Sequence, residues 1–238
     1  MRSLGRLISA ALATASVMLV ATPASAVVML ASFSGKVLAD SPDSRSLDRW
    51  NFFGLNGNLS DATFQARFKY DTSLGEAITN SSTDSRFGGP NWDNAPYTSP
   101  ILEASITING ITDVFDTSRN GAANVTIIKD GWHQTFFYTD YYVFPVENAL
   151  QLFVLDTPDP FSLETPYTGF NRAGLGRPTT QPFAYSFIEG KKDYRLALSP
   201  TRVILTAVPE PATWGLMIIG FAATGAMLRS RRQVLVRV

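Results

Sequence analysis

The chain predicts an all-β fold, a β-sandwich of jelly-roll-like form, on three observations. Ala62 to Tyr70 alternates with period two, placing Phe64, Ala66, Phe68 and Tyr70 on one face and Thr63, Gln65, Arg67 and Lys69 on the other, the pattern of a half-buried strand. Leu102 to Ile108, then Asn109-Gly110, then Ile111 onward is a hairpin signal, because Asn-Gly supplies the two positive φ angles of a type I′ turn. Between the two ends of the chain no segment keeps a capped helical period, and clusters of Gly, Pro, Asn, Asp and Ser separate short apolar runs, as in sandwiches.

The remaining elements follow in order. Strands are expected at Ser32 to Leu38, Trp50 to Leu55, Leu150 to Leu155, Phe183 to Ile188 and Arg202 to Ala207. Asp130-Gly131 suggests a second hairpin between Val125 to Lys129 and Trp132 to Tyr138. The polar stretches Thr79 to Ser99 and Thr157 to Pro182 read as surface loops within one domain. The densest aromatic stretch holds Trp132, Phe136, Phe137, Tyr138, Tyr141, Tyr142 and Phe144. Aromatic residues favour strands and fill cores, so most of these rings are expected inside, with Tyr141 and Tyr142 the ones to emerge.

Both ends of the chain read as targeting segments. Arg2 and Arg6 precede an apolar run from Leu7 to Val20, and Ala24-Ser25-Ala26 has the small-x-small form that a signal peptidase reads. Residues 1–26 are therefore expected to leave as a signal peptide. At the other end Val208-Pro209-Glu210-Pro211 precedes an uncharged run from Ala212 to Leu228, then Arg229, Arg231 and Arg232. At about 1.5 Å per residue that run makes a helix barely long enough for a bilayer core. Gly215, Gly220 and Gly225 weaken its apolar character, which suits a transient anchor. The arginines after it form a cytoplasmic stop, with residues 233–238 as a cytoplasmic tail. Glu210 stands between two prolines, which hold it extended, as a processing enzyme's groove requires.

This order of parts resembles the PEP-CTERM sorting signal of Gram-negative bacteria, over residues 208–232. Pro209, Glu210, Pro211 and Trp214 match the variant in which the motif is followed by Trp-Ala, with Gly215 replacing the alanine. The same motif is also labelled an ice-binding protein C-terminal domain, a label that implies nothing about ice. The resemblance implies recognition by an exosortase, an integral membrane enzyme, and passage from an inner-membrane-anchored precursor to the cell surface or extracellular matrix.

Composition bounds the domain between the signals, residues 27–207. The chain has no cysteine, so disulfides, thiolate metal sites and thiol nucleophiles are excluded. Between the signals 14 basic side chains face 19 acidic ones, a negative balance that argues against nucleic acid or anionic lipid as partners. His133 is the single histidine and reads as a strand residue. No nucleophile elbow, P-loop or zinc-protease motif appears, and the aspartates, Asp40, Asp43, Asp71, Asp130, Asp156 and Asp159 among them, sit where turn chemistry places them. A calcium site on Asp156 and Asp159 lacks the usual loop signature. No catalytic, cofactor-binding or metal-ligating residue is therefore assigned.

The leading expectation is a non-enzymatic surface or matrix protein associated with exopolysaccharide or biofilm. A carbohydrate-binding module is the alternative, with Trp92, in a Gly- and Asn-rich loop, as the candidate glycan contact. A glycan-active hydrolase is the second alternative; it needs a carboxylate pair, for which Glu103 and Glu147 are the glutamates nearest to strands.

Overall fold

A computed structural model describes residues 28–39, 46–90, 98–128, 132–156, 162–170 and 182–209, together with 215, 217–222 and 224–225. Its strands are β1 (Val28–Val37), β2 (Leu47–Asp48), β3 (Thr63–Asp71), β4 (Glu76–Thr79), β5 (Thr83–Gly88), β6 (Ile101–Ile108), β7 (Ile111–Phe115), β8 (Asn120–Ile128), β9 (Trp132–Val143), β10 (Val146–Asp156), β11 (Tyr167–Phe170), β12 (Phe183–Ile188) and β13 (Lys192–Ala207). The fold is all-β, as expected.

These strands form one curled antiparallel sheet in the order β4-β5-β8-β9-β10-β12-β13-β1-β3-β6-β7, with β2 and β11 added beside β13. β13 makes the curl. Its first part pairs with β12 between Ile188↔Lys192 and Phe183↔Ala197, and its second part pairs with β1 from Val37↔Leu198 to Met29↔Ala207. The change of partner falls beside a bulge. The β1–β13 register shifts between Ser34 and Gly35, which pair with Arg202 and Pro200 and leave Thr201 as the extra residue, a place where proline's missing donor is tolerated. A Cβ on Gly35 would lie 2.1 Å from the Ser199 carbonyl oxygen, so only glycine fits this approach.

The curl brings the two halves of the sheet face to face around one core. Phe33 of β1 and Phe68 and Tyr70 of β3 meet Phe137 of β9, with ring centroids 5.0–5.8 Å from it. The alternation read in Ala62 to Tyr70 holds: Phe64, Ala66, Phe68 and Tyr70 are buried. The Asn109-Gly110 turn has φ of 51° and 75°, and Ile108 pairs with Ile111, as the sequence predicts. β8 and β9 pair as expected, closing at Ile128↔Trp132, although the turn residues 129–131 lie outside the described residues.

Three expectations are corrected. Trp50 to Leu55 is a run of turns instead of a strand: the Asp48 carboxylate accepts from the backbone N–H of Phe52 (2.8 Å) and Phe53 (3.0 Å), and Asn51 and Gly54 take positive φ. The stretch from Thr79 to Ser99 contains β5, and the stretch from Thr157 to Pro182 contains β11. β5 escapes a hydrophobic pattern because its inward positions are polar. Asp84 accepts from Arg86 Nη1 (2.7 Å), Thr79 Oγ1 (3.0 Å) and the backbone N–H of Leu163 (2.8 Å), so its burial is compensated.

Candidate functional site: an aromatic outer face and a sorting tail

Because successive strand residues point to opposite faces, a strand that buries Phe137 turns Phe136, Tyr138, Asp140 and Tyr142 the other way. Register extends this outer face across two neighbours. On β10, Glu147, Ala149, Gln151 and Phe153 stand opposite Tyr142, Asp140, Tyr138 and Phe136. On β12, Phe183, Tyr185 and Phe187 stand opposite Gln151, Ala149 and Glu147. The aromatic stretch is thus split between the faces. Of its described side chains only Phe137 joins the core; Phe136 and Tyr138 are half-buried, while Tyr142 and Phe144 are exposed. Tyr141 is half-buried beneath the Arg119 guanidinium, 5.7 Å from its ring centroid. The expectation that most of these rings fill the core is therefore corrected.

The outer face combines flat apolar surface with acceptors. The rings of Phe136 and Tyr138 lie nearly parallel, 6.4 Å apart at 19°. Tyr138 donates its hydroxyl proton to Asp140 Oδ2, and Tyr185 donates to Glu147 Oε2 at 3.2 Å. Burial and then the hydrogen bond to Glu147 push the Tyr185 phenol up to about 12. Burial and then the hydrogen bond to Asp140 raise Tyr138 further, and burial with the charge of Asp140 raises Tyr142. These phenols stay protonated donors at any ordinary pH. Among the described residues Asp140 Oδ1 is buried without a hydrogen-bond partner. This face carries no signature in the sequence other than aromatic density. Its carboxylates come from Asp140 at one end of β9 and Glu147 at the start of β10, which only register brings to one face.

The other sequence-predicted sites divide by location. Ala24 and Ala26, Trp92, Glu210, Pro211 and Trp214, and Arg229, Arg231 and Arg232 lie outside the described residues, as does Asp159. Glu103 is paired with Lys69 at the surface (2.7 Å), and His133 is half-buried in β9. No group of three or more potential metal ligands occurs among the described residues.

Pro209 follows directly on the sheet. β13 ends at Ala207, and the backbone N–H of Val208 donates to the carbonyl of Val28 at 2.9 Å. Beyond it Gly215, residues 217–222 and residues 224–225 are helical, with Met217, Ile218, Ile219 and Phe221 exposed. No helix of the described residues is long and apolar enough to cross a membrane; the rest of the expected span 212–228 lies outside them.

Neither the curated proteins nor the solved structures contain a match to this chain. The tail does match a family model, and on that match the chain carries a PEP-CTERM protein-sorting motif across residues 207–232.

Proposed function

We propose that this protein is a non-enzymatic component of the cell surface or extracellular matrix that associates with exopolysaccharide, as in a biofilm. The motif implies export and sorting to the cell surface by an exosortase-type membrane enzyme. The observation that carries the reading is the join between domain and tail: the motif starts where β13 ends, so the whole β-domain is the cargo of the signal. In this reading residues 1–26 are removed by signal peptidase and residues 212–228 hold the precursor in the inner membrane. The test is the C-terminal mass of the protein recovered from a host with and without an exosortase. A terminus near Pro209 that depends on the enzyme supports the reading, and an intact Val238 in both hosts overturns it.

A carbohydrate-binding role is favoured by the outer face. Sugar rings present flat C–H surfaces that stack on aromatic rings and hydroxyls that donate to carboxylates, and parallel Phe136 and Tyr138 beside Asp140 and Glu147 offer both. The negative balance of the domain points to a neutral glycan. Retardation of the protein in native gels containing neutral polysaccharide, lost in Tyr142→Ala and Tyr185→Ala, is the expected result. Release of reducing ends from that polysaccharide, abolished by Glu147→Gln, would replace this reading with a hydrolase.

A further inference from the structure

Among the described residues, the ion pairs of Lys36 with Asp61 and Lys69 with Glu103 lie at the surface, whereas that of Lys192 with Asp113 is buried, with 12% and 4% of the two side chains exposed. Asp113 points inward from β7, an edge strand of one half of the sheet, and Lys192 begins β13 in the other half. Lys192 Nζ touches Asp113 Oδ1, and the Tyr194 hydroxyl donates to Asp113 Oδ2 at 2.6 Å. Aromatic rings wall the site: the Phe52 ring centroid lies 5.6 Å from Nζ, and Phe52 and Phe53 pack on Tyr194 at 5.9 and 5.0 Å. Holding two charges in such a pocket carries a desolvation cost that a neutral product would not.

We propose that Lys192 and Asp113 condense into an intramolecular amide that staples the two halves of the sheet. A proton passes from Nζ to Oδ1, leaving a neutral amine against a carboxylic acid. Nζ then attacks Cγ, and the oxyanion that forms at Oδ2 is held by the Tyr194 hydroxyl, a donor already aimed at that oxygen. The Nζ–Cγ bond forms, the Cγ–Oδ1 bond breaks, and Oδ1 leaves as water with two of the three ammonium protons. Oδ2 becomes the amide oxygen. Nothing is oxidised or reduced, and no co-reactant is consumed. Contact of Nζ with Oδ1 of the same carboxyl group places the amine beside Cγ, and this proximity makes such a step feasible without a separate enzyme. Burial, followed by the charge of Asp113, raises the Tyr194 phenol well above its usual range, so it keeps the proton that this role requires. The chain has no cysteine, and an amide across 79 residues of sequence constrains the unfolded chain as a disulfide does.

The test is mass spectrometry of the full chain after denaturation and digestion. The expected result is that the peptides containing Asp113 and Lys192 appear as one branched species, lighter than their sum by one water. Lys192→Arg, which keeps the charge but cannot form the amide, yields two separate peptides. Tyr194→Phe, checked for folding by circular dichroism, forms the branched species about a hundredfold more slowly after refolding. Separate, unmodified peptides from folded wild-type protein, or a missing water that maps to other residues, would overturn the proposal without reference to either variant. Formation at the wild-type rate in Tyr194→Phe would remove Tyr194 from it.

Discussion

The two faces of the β9–β10–β12 ladder are built from similar residues and behave differently. On the inner face Phe137 meets Phe33, Phe68 and Tyr70, and Leu150, Leu152 and Val154 fill the space beside it. On the outer face Phe136, Tyr138 and Tyr185 stand beside carboxylates, and Ala149 and Phe153 are buried yet do not belong to the core cluster. Ring content therefore does not mark the core. What separates the faces is the partner: rings of the opposite half inside, acceptors of the same half outside.

The sharpest way to break this contrast is Phe137→Ala. Removing a ring with no exposed surface from a cluster held between both halves is expected to cost about 3–5 kcal/mol, read as a lower denaturation midpoint with an unchanged slope. Asp84→Ala comes next. It strands the largely buried Arg86 guanidinium and the Leu163 amide, and about 3 kcal/mol of stability should be lost. Tyr70→Phe sharpens the inner side alone: it deletes one buried hydrogen bond, 2.6 Å to the Leu163 carbonyl, for about 1–2 kcal/mol.

On the outer face the expected signal is a pH dependence. Tyr185 has a folded value of about 12 against an ordinary 10, so the folded state holds its proton more tightly than the unfolded chain. That contribution is complete below pH 10 and is lost as pH rises toward 12. Tyr185→Phe should flatten this part of the stability profile and, by deleting the hydrogen bond to Glu147, lower stability at neutral pH by about 1 kcal/mol; phenolate absorbance during alkaline titration provides a second reading. The smallest effect is expected from Phe144→Ala at the exposed β9–β10 turn, 77% accessible: a shift within about 0.5 kcal/mol in thermal unfolding.

Legibility followed local chemistry. The Asn109-Gly110 hairpin and the alternation of β3 were readable because turn geometry and side-chain direction are set by neighbouring residues. β5 was not, because its inward Asp84 is polar and is compensated by Arg86, Thr79 and a Leu163 amide 79 residues away, so no alternation of apolar residues marks the strand. Trp50 to Leu55 misled for the opposite reason: its apolar residues suggest a strand, while the Asp48 carboxylate caps Phe52 and Phe53 into turns and still delivers Phe53 to the core. The aromatic stretch of β9 was visible as a stretch, but which of its rings met the opposite half depended on where β1 and β3 came to lie.

By itself the sequence determined the all-β class, the absence of any disulfide and the sorting motif, since each is written in composition or in contiguous residues. The tertiary structure alone decided that β13 serves both halves of the sheet, that Asp140 and Glu147 share a face with parallel rings, and that Lys192 meets Asp113. Those pairings join residues far apart in the chain, and the curl of the sheet sets their distance where local pattern has no reach.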